Sequence, residues 1–308
     1  LDKNIPLIIL SQVPPGFTRN FFKIRKKLYY QVETLIFGNA MHRALHPERF
    51  IIGSSNSLDV IPVPITFFLK SFNCPILIMS FESAELSKIA INCYLASSLS
   101  ITNTLSELSD SLGGSWDEII PTLQLDKRIG KFAYLKPGLG ISGGNIERDL
   151  ATIKSIGLTN NANVECIDSM IQLSKYSKQW LYRNIRKYID NDINLKISVL
   201  GLAYKENTNS IKNSPSIELL KKIKNSSVKA YDPLVKNISI KGVIMSDSAL
   251  EAIKNSDILV IATPWEEFRS INLSKIKKQM NGNIIIDPYK ILDEESLKKL
   301  NFMYYSIG

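Results

Sequence analysis

The chain has 308 residues, 44% of them apolar and 22% charged, which is enough for about two domains. Its net charge of +9 comes from dispersed lysines, with no basic and aromatic stripe and no helix-turn-helix pattern, so nucleic acid is not the expected partner; the excess reads as a solvated surface that could also help gather an anionic substrate. No apolar run reaches the length of a membrane span, no signal peptide is visible, and Cys74, Cys93 and Cys166 make neither a metal spacing nor an even disulfide set; a cytoplasmic protein is expected.

The chain opens into a strand at 5–10. Further strands are expected at 50–52 and 75–79, with helical stretches at 21–28 and 61–71 between them. This alternation reads as part of an open α/β sheet. From 83 to 108 apolar residues recur at helical spacing (Leu86, Ile89, Ala90, Leu95, Leu99), with no Gly or Pro to interrupt them. Such a helix spans roughly 39 Å and commonly links two domains or forms a dimer core. A second helical stretch is expected at 163–189. The α/β pattern restarts with a buried strand at 196–200 and a helix opened by Ser214-Pro215. Strands near 228–231, 257–262, 284–286 and 302–306 complete a small doubly wound domain.

The densest feature is the glycine loop Pro137-Gly138-Leu-Gly140-Ile-Ser-Gly143-Gly144-Asn145-Ile-Glu-Arg-Asp149. Its Gly138-x-Gly140-x-x-Gly143 matches a dinucleotide fingerprint, but no buried apolar strand precedes it. It is better read as a loop whose N–H groups face a phosphate or sugar ahead of a helix, the alternatives being a flexible loop or a close approach of backbone. The turn from Gly201 to Lys205 has one glycine, so a pyrophosphate cannot sit there in the usual dinucleotide manner. Lys205 and Lys212 could contact phosphates or sugar hydroxyls, or be plain surface lysines. Lys88 and Asn92, at i and i+4, share one helix face and could hold a water or stabilise an alkoxide, though such pairs are common on exposed helices. Cys93 lies on another face and is expected in the core. His42 and His46 are also at i and i+4, but Arg43 stands where a zinc protease needs Glu, and no metal site is expected.

In order along the chain, several segments resemble the nucleotide-sugar dehydrogenase family, of the UDP-glucose/GDP-mannose 6-dehydrogenase type. They are Ser11-Gln12-Val-Pro-Pro-Gly16, Tyr30-Gln-Val-Glu33 through Gly38 to His46-Pro-Glu-Arg-Phe-Ile-Ile-Gly53, and Glu82 to Asn92. Asp126-Lys-Arg128-Ile-Gly130, the glycine loop, Gly201 to Thr208 with Ser214-Pro215, Tyr231-Asp-Pro233 and Trp265-Glu-Glu-Phe268 complete the match. The resemblance implies an α/β fold of two doubly wound Rossmann-like domains, the first incomplete, joined by a long central helix and a helical dimerisation segment. Residues 1–80 would be the C-terminal part of an NAD-binding domain, 81–193 the dimerisation segment and 194–308 the sugar-nucleotide domain. It also implies NAD-dependent oxidation of the C6 alcohol of a nucleotide sugar, most simply a UDP-sugar, by a homodimer.

The same resemblance assigns roles. Lys88, Asn92 and Asp149 would hold the catalytic water and Glu33 would assist acid–base work. Tyr134, Pro137, Gly138, Gly140, Gly143, Gly144, Arg128 and Lys205 would hold the substrate, with Arg128 reaching into a neighbouring subunit. Gln12 and Lys212 fall at cofactor-side positions where the family has Thr and Arg. Asn145 falls on the family's nucleophilic cysteine. A carboxamide forms no thiohemiacetal, so the expectation is oxidation that stops at the aldehyde or, alternatively, a catalytically inactive binding or regulatory homologue. The NAD fingerprint itself is expected upstream of Leu1.

Overall fold

The computed structural model describes residues 2, 4–35, 40–190, 194–223 and 226–308. The chain divides into two compact units, Leu1–Tyr94 and Leu95–Gly308.

In the first unit β1 (Leu7–Ile9), β2 (Leu28–Gln31), β3 (Phe50–Ser54) and β4 (Ile76–Ser80) form one sheet in that order. β1–β2 and β3–β4 are parallel, while β2–β3 is antiparallel. Helices α1 (Phe17–Phe22), α2 (Ala40–Leu45) and α3 (Val63–Lys70) connect them. The helix expected over 21–28 is corrected: α1 stops at Phe22, and Leu28 opens a strand. Leu28 and Tyr30 are buried while Tyr29 and Gln31 are half-buried, the period of two that a strand requires. Between them, buried Arg25 donates to the carbonyls of Asp2 and Ile5 and ties down the connection.

β4 runs directly into α4 (Phe81–Ser111), whose 31 residues extend the expected helix at both ends. Its first turns carry Glu85, a fully buried carboxylate that accepts the amides of Gly16 at 2.5 Å and Thr18 at 2.7 Å. Glu85 thereby caps α1, which has no side-chain cap of its own. Arg19 of α1 clasps Glu82 of α4 with two hydrogen bonds, at 2.7 and 3.0 Å.

The second unit begins with the rest of α4 and with α5 (Trp116–Leu125), which sequence patterning missed. After the glycine loop come α6 (Asn145–Thr159), α7 (Glu165–Lys178) and α8 (Trp180–Ile189). The single helix expected over 163–189 is broken at Gln179, and the Arg183 guanidinium takes the carbonyl of Tyr176 at 2.6 Å in the last turn of α7.

Strands β5 (Lys196–Leu200), β6 (Ser227–Tyr231), β7 (Val243–Met245), β8 (Ile258–Ile261), β9 (Ile284–Ile286) and β10 (Met303–Tyr305) form an all-parallel sheet. Its order is β10-β9-β8-β5-β6-β7. Helices α9 (Pro215–Lys222), α10 (Ala249–Ile253), α11 (Glu266–Arg269), α12 (Leu273–Gln279) and α13 (Glu294–Lys299) lie between the strands. Val199, Leu200, Ile258, Leu259, Val260, Ile285 and Ile286 are buried, as strands covered on both faces must be. β7, a short edge strand, was not expected from the sequence. The strand order reverses between β5 and β8, and in such sheets ligands bind beyond the carboxyl ends of the strands at that point.

Candidate functional site

The turn after β5 shows how the chain uses its one glycine there. Gly201 has φ +93°, and a Cβ on it would lie 2.5 Å from the Thr263 side chain. Beyond it, the Leu202 and Ala203 amides point at Asp232 Oδ2, at 2.7 and 3.0 Å. Trp265 Nε1 donates to the same oxygen, and Leu234 and Val235 donate to Oδ1. This buried carboxylate thus takes up the amides of the Gly201 turn.

The glycine loop is held by the chain itself. Gly140 has φ +79° and packs on the carbonyl of Ser174, while Ser174 Oγ accepts the Ile141 amide at 2.9 Å. Gly143 has φ +85°, lies under the Tyr204 ring and donates its amide to the Lys212 carbonyl at 3.1 Å. Gly144 leaves room for the end of the Lys212 side chain, whose Nζ would sit 2.7 Å from an added Cβ. Close approach of the protein's own backbone and side chains therefore accounts for three of the loop's glycines. It also puts an ammonium over the start of α6, where helix dipole and free N–H groups favour an anion.

One wall of an open cleft of about 410 Å³ is formed by this loop, with Lys136, Pro137, Gly138, Leu139, Gly140 and Ser142. Tyr204 and Glu206 after β5, Pro264 and Arg269 after β8, and Tyr289 after β9 form the rest. The cleft thus sits beyond the carboxyl ends of the strands at the order reversal. Burial pushes the Tyr204 and Tyr289 phenols above their ordinary value, so both rings stay neutral. Burial lowers the Lys205 ammonium, against the raising influence of Glu206.

The sequence-selected residues fall as follows. Pro137, Gly138 and Gly140 line the cleft. Asn145 is the exposed first residue of α6, and Asp149, one turn on, is buried with Arg148 Nε at 3.4 Å. Arg128 is paired with Asp126 at 2.6 Å and its side chain is exposed; Tyr134 is exposed, its carbonyl taken by Thr102. Neither is among the cleft-lining residues. In the first unit half-buried Lys88 and buried Asn92 follow Glu85 along one face of α4. Gln12 is half-buried in the turn before α1, and exposed Glu33 accepts the Leu35 amide at 2.8 Å. Gly38 lies outside the described residues. Lys136 and Ser142 fall inside the stretch 134–144 that the resemblance gave to the substrate, whereas Tyr204, Glu206, Pro264, Arg269 and Tyr289 were not singled out by sequence reading. Their position just past strand ends was the available signal.

A dinucleotide needs free amides at a strand-to-helix turn. The amides at Gly16, the N-cap of α1, and in the turn after Gly201 are given to carboxylates of the chain, Glu85 and Asp232. Among the described residues these turns do not fit NAD. No group of three or more metal-ligating side chains occurs among the described residues, and no described helix is long and apolar enough to cross a membrane.

Two models of one family match the chain. The UDP binding domain of the UDP-glucose/GDP-mannose dehydrogenase family matches residues 198–294, and its central domain matches 82–176. The UDP-glucose 6-dehydrogenase of Rickettsia conorii is 31% identical over 329 residues, covering all of this chain and 74% of that protein. The chain belongs to the UDP-glucose/GDP-mannose dehydrogenase family. This is a family of NAD-dependent oxidoreductases. The putative UDP-glucose 6-dehydrogenase YtcA of Bacillus subtilis is 27% identical over 98% of the chain and 73% of its own length. Among solved structures, the fold is similar to UDP-D-ManNAc dehydrogenase of Pyrococcus horikoshii, with TM-score 0.82 and 24% identity over 100% of this chain and 73% of that one. It is also similar to a UDP-glucose dehydrogenase of Pyrobaculum islandicum, with TM-score 0.81 and 22% identity over 97% of this chain and 69% of that one. The cleft lies within the part of the chain running from the central-domain match through the UDP-binding match.

Proposed function

We propose that the chain binds a UDP-sugar in the cleft beyond β5, β8 and β9, and that its oxidation chemistry ends at the C6 aldehyde. The observation that carries the binding half is the cleft itself. It joins the glycine loop, neutral tyrosine rings and cationic Lys136 and Arg269 at the order reversal of a parallel sheet. Lys212 over the start of α6 adds a phosphate contact. NAD is the hydride acceptor of the family; the turns described here do not fit it, so the proposal rests on the substrate half.

Asn145 limits the product. A thiolate at this position would form a thiohemiacetal, which gives up a second hydride and becomes a thioester on the way to the acid. The Asn145 amide nitrogen has its lone pair delocalised into the carbonyl and adds poorly to an aldehyde. Cys166, exposed on α7, is 21 positions further along, on a different helix. A second reading is a sugar-nucleotide-binding homologue without turnover, which the same carboxamide at position 145 and Gln12 and Lys212 in place of Thr and Arg would favour.

We further propose a homodimer built on α4, where Ile101, Leu105 and Leu108 form an exposed apolar stripe continued by Leu112. We also propose a cytoplasmic location, on the sequence reading that Cys74, Cys93 and Cys166 make no even disulfide set.

The test is calorimetric titration of this chain with UDP-glucose, UDP-N-acetylglucosamine and GDP-mannose. Saturable binding of a UDP-sugar is expected, with a Kd on the order of micromolar. Absence of binding by all three would overturn the proposal.

A further inference from the structure

Lys178, the last residue of α7, is a buried lysine that the binding reading does not use. Its side chain is only 5% exposed. Its ammonium lies 2.5 Å from Glu147 Oε1, with Glu218 farther away at 4.0 Å. Glu147 is the third residue of α6, two past Asn145, and its other oxygen accepts the side-chain amide of Asn213. Asn213 has φ +53° and follows Lys212, whose carbonyl takes the Gly143 amide. The 205–213 loop is therefore joined to the start of α6 at two points, by Gly143 to Lys212 and by Glu147 to Asn213.

A lone carboxylate in the first turn of α6 would repel a phosphate arriving there. Lys178 neutralises it from the buried side, so Glu147 can serve as an attachment point. A buried ion pair of this kind adds little net stability compared with an apolar pair, yet it fixes geometry. We propose that Glu147, Lys178 and Asn213 form a latch that positions the Lys205–Lys212 loop against the glycine loop, so that its cations meet the diphosphate of the ligand. These are positioning residues that act through Lys205 and Lys212. The inference rests on the reading of the cleft as a nucleoside diphosphate site.

The experiment measures Kd for UDP and for uridine with the full chain, by calorimetry or ligand-observed NMR. The variants are Asn213→Gly, which removes the amide and tolerates the positive φ, and the double variant Glu147→Ala/Lys178→Met, which leaves net charge unchanged and no buried lone ion. A displaced loop should weaken UDP about tenfold in both variants and uridine less than about twofold. Unchanged UDP affinity in both variants would overturn the latch. Equal weakening of UDP and uridine would also overturn it, by reducing the network to general stability. Failure of the unmodified chain to bind UDP would instead overturn the underlying reading of the cleft, and the latch with it.

Discussion

The carbonyl oxygen of Ser174 stands 2.6 Å from where a methyl group on Gly140 would be. Gly140 also has φ +79°, so any other residue there meets both a backbone strain and a fixed neighbour. Gly140→Ala should destabilise the second unit by about 2–4 kcal/mol. The chain's three tryptophans, Trp116, Trp180 and Trp265, all lie in that unit, so a urea titration followed by their fluorescence reports it alone. An unchanged midpoint would show that α7 can move away at no cost.

Asp232 collects five donors with two oxygens. Asp232→Ala leaves those buried donors without their acceptor, and the expected loss is about 3 kcal/mol or more in the same urea experiment. Asp232→Asn replaces one acceptor oxygen with a donor and should lie between the two. A loss below about 1 kcal/mol for the alanine variant would mean that water replaces the carboxylate.

Burial lowers the Lys205 pKa from its ordinary 10.5. A diphosphate favours the charged amine, so binding raises that pKa and takes up a proton as the pH increases. UDP affinity is then constant below the lowered free-state pKa and falls as pH rises through it, starting below 10.5. The fall should vanish in Lys205→Met, which binds more weakly while the wild-type lysine is charged and approaches the wild type as it deprotonates. An identical pH profile in the two proteins would remove Lys205 from the phosphate site.

Asn145 is exposed at the first position of α6, so Asn145→Cys should change stability by less than about 0.5 kcal/mol. The helix start and Lys212 should hold the new thiol below the ordinary cysteine value of about 8.5. Alkylation by iodoacetamide across a pH series measures this, with a Cys166→Ser background to remove the exposed native thiol. A thiol that titrates at or above the ordinary value would show that the first turn of α6 does not activate a nucleophile.

If α4 carries the dimer, Leu105→Glu with Leu108→Lys should convert it to monomer in analytical ultracentrifugation. A wild-type chain that sediments as a monomer at micromolar concentration would reject the interface.

Much of the second unit was legible in the chain. Parallel strands covered on both faces are short continuous apolar runs, and Ser214-Pro215 and Gly201 punctuate them, so β5, β6, β8, β9 and β10 were all expected. β2 escaped because the cationic run from Lys23 to Lys27 hides the alternation that begins at Leu28. The break at Gln179 escaped because it depends on the Arg183 guanidinium reaching the Tyr176 carbonyl. The glycine loop was visible as a loop before a helix.

What the sequence by itself determined is the order of elements and the family pattern, because periodicity, caps and motifs are written in windows of about ten residues. Only the tertiary structure decided what each polar group faces. Asp232 meets amides 30 residues earlier in the chain, and Glu147 meets Lys178 and Asn213, 31 and 66 residues away. Arg269 and Tyr289 join the glycine loop in one cleft for the same reason. A buried amide or ammonium takes whichever partner packing brings within hydrogen-bond reach, and that choice has no local signature.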